Sequence, residues 1–256
     1  MADQAGVLDG LTVVVTRAKT QASVLTEKLV ALGADAVGVA TIEIVPPADG
    51  GEALGAALAN GASYDQLVVA SPNGARSLAI AVEAAASELG LDPATLPPVA
   101  CVGPSTADKL ADSPLTVNLV PDRAVAEGLV DAVPMPPAEA NRLLLVQAEV
   151  ARDVLEVGLA AKGWKVDRVV AYRTVDAEVS DTDRELARSG DIITFTSSST
   201  VERFVRLVGT DALPPVVASI GPITSATARD LGLRGDIEAD PHTIDGLVAA
   251  IVNHYR

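Results

Sequence analysis

Residues 11–45 read LTVVVTRAKTQASVLTEKLVALGADAVGVATIEIV, and residues 142–175 read RLLLVQAEVARDVLEVGLAAKGWKVDRVVAYRTV. Both open on an apolar, β-branched run. Both continue into a stretch with helical spacing, turn at a glycine and re-enter an apolar run. Leu25, Leu29 and Leu32 stand at i, i+4 and i+7 in the first, and Leu155 and Leu159 repeat the spacing in the second. Gly33 matches Gly163.

The likeness continues in order along the chain. Residues 64–75 (YDQLVVASPNGA) pair with 190–201 (GDIITFTSSSTV), and 97–110 (PPVACVGPSTADKL) pair with 214–228 (PPVVASIGPITSATA). Residues 121–133 (PDRAVAEGLVDAV) pair with 240–252 (DPHTIDGLVAAIV). Collinear blocks sharing Gly-Pro and Gly-Leu landmarks indicate two duplicated halves. Strands are expected at 12–16, 36–39, 66–70, 98–102, 116–119, 143–146, 166–170, 192–196 and 216–220. They are short, continuous and apolar, as parallel strands buried on both faces are. Alternation with helical segments predicts an α/β fold of two doubly wound parallel-sheet lobes, flavodoxin-like or Rossmann-like.

Residues 41–47 (TIEIVPP) and 171–175 (AYRTV) stand at matching places after the second strand of each half. Pro46-Pro47 cannot continue a helix or a central strand. The two stretches read as extended linkers, about 43–45 and 171–175, crossing twice between two lobes.

Composition narrows the function classes. The 256 residues hold 19 Lys and Arg against 34 Asp and Glu, a net charge of −15. A dedicated nucleic-acid binder needs a basic footprint. Only two Phe, one Trp and three Tyr are present, too few for a base-stacking platform. The single cysteine, Cys101, cannot form an internal disulfide and reads as a core thiol. His242 and His254 lack a ligand-spaced cluster, so no metal site is expected. The opening residues carry no basic and apolar leader, and no apolar run approaches 18 residues. A soluble, cytoplasmic protein is expected.

The polar residues gather where strands end and helices begin. These are Thr16-Arg17, Ser71-Pro72-Asn73-Gly74, Gly103-Pro104-Ser105-Thr106, Thr196-Ser197-Ser198-Ser199-Thr200 and Gly221-Pro222-Ile223-Thr224. In parallel α/β sheets, ligands bind outside the carboxyl ends of the strands. Four of these sets open a helix, whose free N–H groups and dipole suit carboxylate or phosphate. Residues 105–108 and 199–202 also fit a capping box, the bland alternative at each single site. Phosphate-loop, dinucleotide and nucleophile-elbow patterns are absent. Tyr172 sits in the second linker stretch, either packing it or offering a phenol to a cleft between lobes.

These residues resemble the uroporphyrinogen-III synthase family over nearly the whole chain. The likeness is carried by Val15-Thr16-Arg17, Ser71-Pro72-Asn73-Gly74, Val102-Gly103-Pro104-Ser105-Thr106, Ala171-Tyr172-Arg173-Thr174, Ile220-Gly221-Pro222-Ile223-Thr224 and Thr243-Ile244-Asp245-Gly246-Leu247. The resemblance implies one lobe of residues 1–42 plus 176–256 and a second of 46–170. It implies a monomeric enzyme without cofactor or metal. The implied reaction is cyclisation of hydroxymethylbilane with inversion of its last ring and loss of water. Tyr172 is then the catalytic residue. Arg17, Ser71, Asn73, Gly74, Ser105, Thr106, Ser197, Ser198, Ser199, Thr200 and Thr224 bind substrate. A transient contact with the upstream synthase stays open. The alternative is a non-enzymatic two-lobe protein that binds or senses a small anion; a nucleotide-sugar transferase lacks its acidic ribose or metal motif here.

Overall fold

The computed structural model describes residues 6–16, 23–211 and 213–256. Arg17, an expected substrate contact, lies outside the described residues. In chain order the strands are β1 (Thr12–Val15), β2 (Asp35–Gly38), β3 (Ile42–Val45), β4 (Gln66–Val69), β5 (Val99–Cys101), β6 (Val117–Leu119), β7 (Arg142–Ala148), β8 (Lys165–Asp176), β9 (Ile192–Phe195), β10 (Val216–Ser219) and β11 (Ile237–Glu238). The helices are α1 (Ser23–Val30), α2 (Glu52–Ala59), α3 (Pro72–Leu89), α4 (Pro104–Ala107), α5 (Ala126–Ala132), α6 (Val154–Ala161), α7 (Asp181–Ser189), α8 (Ser198–Val208), α9 (Pro222–Asp230) and α10 (Ile244–His254). None of the described helices is long and apolar enough to cross a membrane.

The chain forms two compact units, Met1–Glu43 with Val175–Arg256, and Ile44–Thr174. The first holds a five-stranded sheet in the order β11-β10-β9-β1-β2. The second holds a six-stranded sheet in the order β3-β8-β7-β4-β5-β6. Pairing is parallel at β1–β2, β1–β9, β9–β10 and β10–β11, and at β4–β5, β4–β7, β5–β6 and β7–β8.

The sequence repeats are exchanged between the sheets. β1 and β2, from the first repeat, share a sheet with β9, β10 and β11 from the second, joined at β1–β9. β7 and β8, from the second repeat, share a sheet with β4, β5 and β6 from the first, joined at β7–β4. Equivalent strands take equivalent places, and β3 is added outside β8.

Both faces of each sheet are covered, which explains the uninterrupted apolar strands. In the first unit, Leu25, Leu29, Leu247 and Ile251 pack on Val13 and Val15 on one side. Val201 and Phe204 of α8 pack on Val14, Ile193 and Phe195 on the other. The Phe195 and Phe204 rings meet edge to face at 5.5 Å. In the second unit, Leu54, Leu58, Ala75, Leu78 and Val82 cover Leu67, Val69, Leu144 and Val146. Leu129, Leu155, Leu159 and Trp164 cover Val68, Leu143 and Leu145. Each fully buried aliphatic side chain contributes about 1.5–3 kcal/mol relative to exposure.

The matching glycines have one physical cause. Gly33 and Gly163 adopt φ of +94° and +100°. After α1, Gly33 N–H donates to Val30 and Ala34 N–H to Leu29; after α6, Gly163 N–H donates to Ala160 and Trp164 N–H to Leu159. These are paired Schellman closures, which place a left-handed residue after the helix and satisfy its last carbonyls.

The two stretches read as linkers are hydrogen-bonded strands. β3 covers most of the first, and β8 runs unbroken through the second. An extended segment must satisfy its N–H and C=O groups, and two lying side by side satisfy each other. The unit boundaries fall inside these strands.

Candidate functional site

In the second unit β4 ends at Val69, and Ser71 caps α3 in extended conformation with Pro72 at the first helical position. Ser71 Oγ accepts the Gly74 N–H at 3.1 Å. The same Oγ shares a 2.9 Å hydrogen bond with the Tyr172 hydroxyl. Asn73 and the buried Gly74 lie in the first turn of α3. A Cβ at residue 74 would stand 3.3 Å from Ser71 Oγ and 3.5 Å from the Val146 carbonyl oxygen, so the turn sits close against β7.

Tyr172 is placed by an irregularity in β8, not by a linker. Val146 pairs with Val169 and Gln147 with Val170, but Ala148 pairs with Tyr172. One extra residue on β8 is a β-bulge, which re-aims the side chains beyond it. In unbroken alternation Ala171 would face Ala148, and Tyr172 would point to the opposite side. The shift puts Tyr172 on the α3-covered face, 8% exposed, beside Val69, Val146 and Ala75. Its neighbour Arg173 donates from Nε to the Pro46 carbonyl at 3.1 Å.

In the next corner of this unit, β5 ends at Cys101 and Gly103 precedes α4 without any side-chain cap. Ser105 is exposed and Thr106 is fully buried. Thr106 Oγ1 has no hydrogen-bond partner. Burial pushes the Cys101 thiol up to about 11, which makes it a core thiol and not a nucleophile.

The equivalent corners of the first unit differ in their hydrogen bonds. Ser197 caps α8 and accepts the Thr200 N–H at 3.3 Å. Its Oγ also meets Ser199 Oγ at 3.1 Å and Thr200 Oγ1 at 2.5 Å. Ser198 Oγ accepts from Thr227 Oγ1 of α9 at 2.8 Å. The serine-rich run therefore spends much of its capacity on itself and on α9. Thr16 is likewise engaged, donating to the Thr194 carbonyl at 2.7 Å. Gly221 opens α9 as Gly103 opens α4, and Thr224, 5% exposed, stands where Thr106 stands. Ser219 and Ser225, on either side of this Gly-Pro corner, have buried hydroxyls with no partner.

The expected capping boxes at 105–108 and 199–202 are not formed. The α4 start has no side-chain cap, and α8 is capped two residues earlier, by Ser197. A described capping box instead joins Ser180 and Asp183 at α7. His242 is held by the Ala239 carbonyl at 2.8 Å and lies against Gly221.

Buried polar groups are normally paired. The orphan hydroxyls Thr106, Ser219 and Ser225 all belong to the two equivalent β-strand–Gly-Pro–helix corners. Each unit by itself thus places hydroxyls where its strands give way to helices: Ser71, Thr106 and Tyr172 in the second, Ser219, Thr224 and Ser225 in the first. Among the described residues, no group of three or more His, Cys, Asp or Glu is arranged to hold a metal ion.

The family model for uroporphyrinogen-III synthase HemD matches residues 23–249. The chain is 34% identical over 260 aligned residues to the uroporphyrinogen-III synthase of Synechococcus elongatus, covering 95% of each chain. This chain belongs to the uroporphyrinogen-III synthase family. Among solved structures, the uroporphyrinogen-III synthetase of Helicobacter pylori superposes with a TM-score of 0.61 at 15% identity, covering 95% of this chain and 99% of that one. A mutant uroporphyrinogen-III synthase of Thermus thermophilus gives 0.59 at 18%, covering 96% and 98%. At these identities the structural likeness speaks for the family's α/β fold alone. Of the residues that carry the resemblance in the sequence, those from Ser71 to Leu247 lie within the matched range, and Val15-Thr16-Arg17 precede it.

Proposed function

We propose that this chain converts hydroxymethylbilane to uroporphyrinogen III as a cyclising carbon–oxygen lyase. The observation that carries this reading is the family match, at 34% identity across nearly the full length of both chains. The site's chemistry supports it. Loss of the hydroxyl gives an electrophilic azafulvene. The last pyrrole attacks through its substituted carbon, and a spiro intermediate rearranges to the inverted ring. The substrate closes unaided to the uninverted isomer, so the enzyme's task is positional. Neutral hydroxyls and amides at helix starts suit a substrate with eight carboxylates and hold it without strong acids or bases.

In this reading Tyr172 protonates the departing hydroxyl. Arg17, Ser71, Asn73, Gly74, Ser105, Thr106, Ser197, Ser198, Ser199, Thr200 and Thr224 bind or position the substrate. Arg173 and the amino ends of α3, α8 and α9 provide local positive potential within a chain of net charge −15.

The test is incubation with freshly prepared hydroxymethylbilane, oxidation of the products, and chromatographic separation of type I and type III porphyrins. The type III isomer is expected to dominate. Type I alone, at the spontaneous rate, would overturn the proposal.

A further inference from the structure

Ser71 Oγ carries one hydrogen and two acceptor sites. One acceptor site takes the Gly74 N–H, an amide at the amino end of α3, which spans Pro72–Leu89. Its other partner is the Tyr172 hydroxyl at 2.9 Å, a bond either oxygen can donate. An oxygen that accepts from the positive end of a long helix is polarised toward donating. The equivalent cap makes the contrast. Ser197 also accepts its helix's third amide, but its other partners are Ser199 and Thr200, and no phenol is bonded to it.

We propose that Ser71 is a positioning residue for Tyr172: it accepts the Gly74 amide hydrogen, donates its own hydrogen to the phenolic oxygen, and leaves the phenolic hydrogen free for the substrate. This rests on the cyclisation reaction proposed above and refines the place of Ser71 in it, from contact with the substrate to orientation of Tyr172. In that step the C–O bond of the hydroxymethyl group breaks with both electrons going to oxygen. The Tyr172 proton joins that oxygen and water leaves. The negative charge left on the phenolic oxygen keeps the Ser71 hydrogen bond, now charge-assisted, and feels the amino end of α3. The proton is recovered when the last ring gives up its α-hydrogen as the macrocycle closes. Ser71 thus stabilises the charged state more than the resting one, the requirement for a rate effect.

The experiment compares Ser71→Ala, Ser71→Thr, Ser71→Asp, Tyr172→Phe and the Ser71→Ala/Tyr172→Phe double variant. It measures kcat, KM, the isomer ratio and thermal unfolding. Ser71→Ala is expected to lower kcat by about 10–100-fold with KM within about twofold, the low end of general-acid contributions. Ser71→Thr restores most of the rate, because threonine both caps and donates. Ser71→Asp keeps the α3 cap and the unfolding temperature but stays as slow as Ser71→Ala, because a carboxylate has no hydrogen to give. The double variant is no slower than Tyr172→Phe alone. A rise in KM with unchanged kcat, additive losses in the double variant, or full activity in Ser71→Asp would each overturn the inference. If the unaltered chain makes no type III isomer, the reaction itself is wrong. If it does and the variants misbehave, only the role of Ser71 falls.

Discussion

Two serines occupy the same place in the two halves of this molecule. Each follows an inner strand of its sheet, β4 or β9, adopts extended backbone and accepts the N–H three residues on. Ser197 then turns to Ser199 and Thr200, whereas Ser71 turns to Tyr172. Duplication supplied the same corner twice, and the neighbouring strand made the two unlike. The difference originates on β8, where one extra residue turns Tyr172 toward α3. In the first unit, β1 pairs with β2 through four consecutive residues without a shift.

The largest effect is expected from undoing that shift. Insertion of one alanine between Gln147 and Ala148 gives Ala171 a partner on β7, restores simple alternation and sends the phenol to the other face of the sheet. Formation of type III isomer should fall by about 100-fold or more, at least matching loss of the phenol. Near-normal turnover in a folded insertion variant would break the comparison at its root. Tyr172→Phe keeps the ring and removes the hydroxyl. A fall in kcat of about 10–100-fold is expected from single-turnover assays, and wild-type turnover would remove the general-acid role.

Ser197→Ala should behave differently from its counterpart. Loss of an N-cap costs about 1 kcal/mol, read by denaturant unfolding. Its kinetic effect should appear mainly as a raised KM. A kcat loss equal to that of Ser71→Ala would show that the two corners are functionally alike after all.

The threonine pair sharpens the comparison further. Thr106 Oγ1 is buried and unpaired. Thr106→Val removes an unsatisfied hydroxyl at nearly constant shape, so the free protein should gain about 1 kcal/mol while KM rises several-fold. A loss of stability would mean that the hydroxyl already has a partner in the free protein. Thr224→Val should raise KM as well. The smallest signal belongs to Cys101, whose thiol is pushed up to about 11 and is fully buried. At pH 8 only about one part in a thousand would be thiolate, so native protein should resist alkylation, and rapid labelling would contradict this burial.

The sheets themselves were legible because parallel strands buried on both faces must be continuous apolar runs, and each expected strand has a counterpart among the described residues. The matched glycines were legible because a left-handed helix closure leaves few other choices. Other features left no such trace. β3 looked like a linker because it is a short edge strand followed by two prolines, and the far end of β8 because Arg173 and Thr174 interrupt its apolar run; only the spatial partner reveals the pairing. The bulge at Ala171 leaves no mark in residue type, since alanine is common in any strand. The hydroxyl run at 196–200 suggested open binding capacity, because composition cannot show that neighbouring hydroxyls bond to one another. The capping boxes failed for a related reason: the helices begin earlier than the pattern implied, at Ser197 and at Gly103.

The exchanged strands have a consequence for synthesis on the ribosome. The unit of Ile44–Thr174 is one continuous stretch, so it can close as soon as β8 has emerged. The other unit cannot. β1 lies between β2 and β9, and β9 leaves the exit tunnel only after the whole inserted unit has been made. Until then the earliest strands wait with one edge open. The nascent chain must keep that edge unpaired with itself and with its neighbours while its middle folds first.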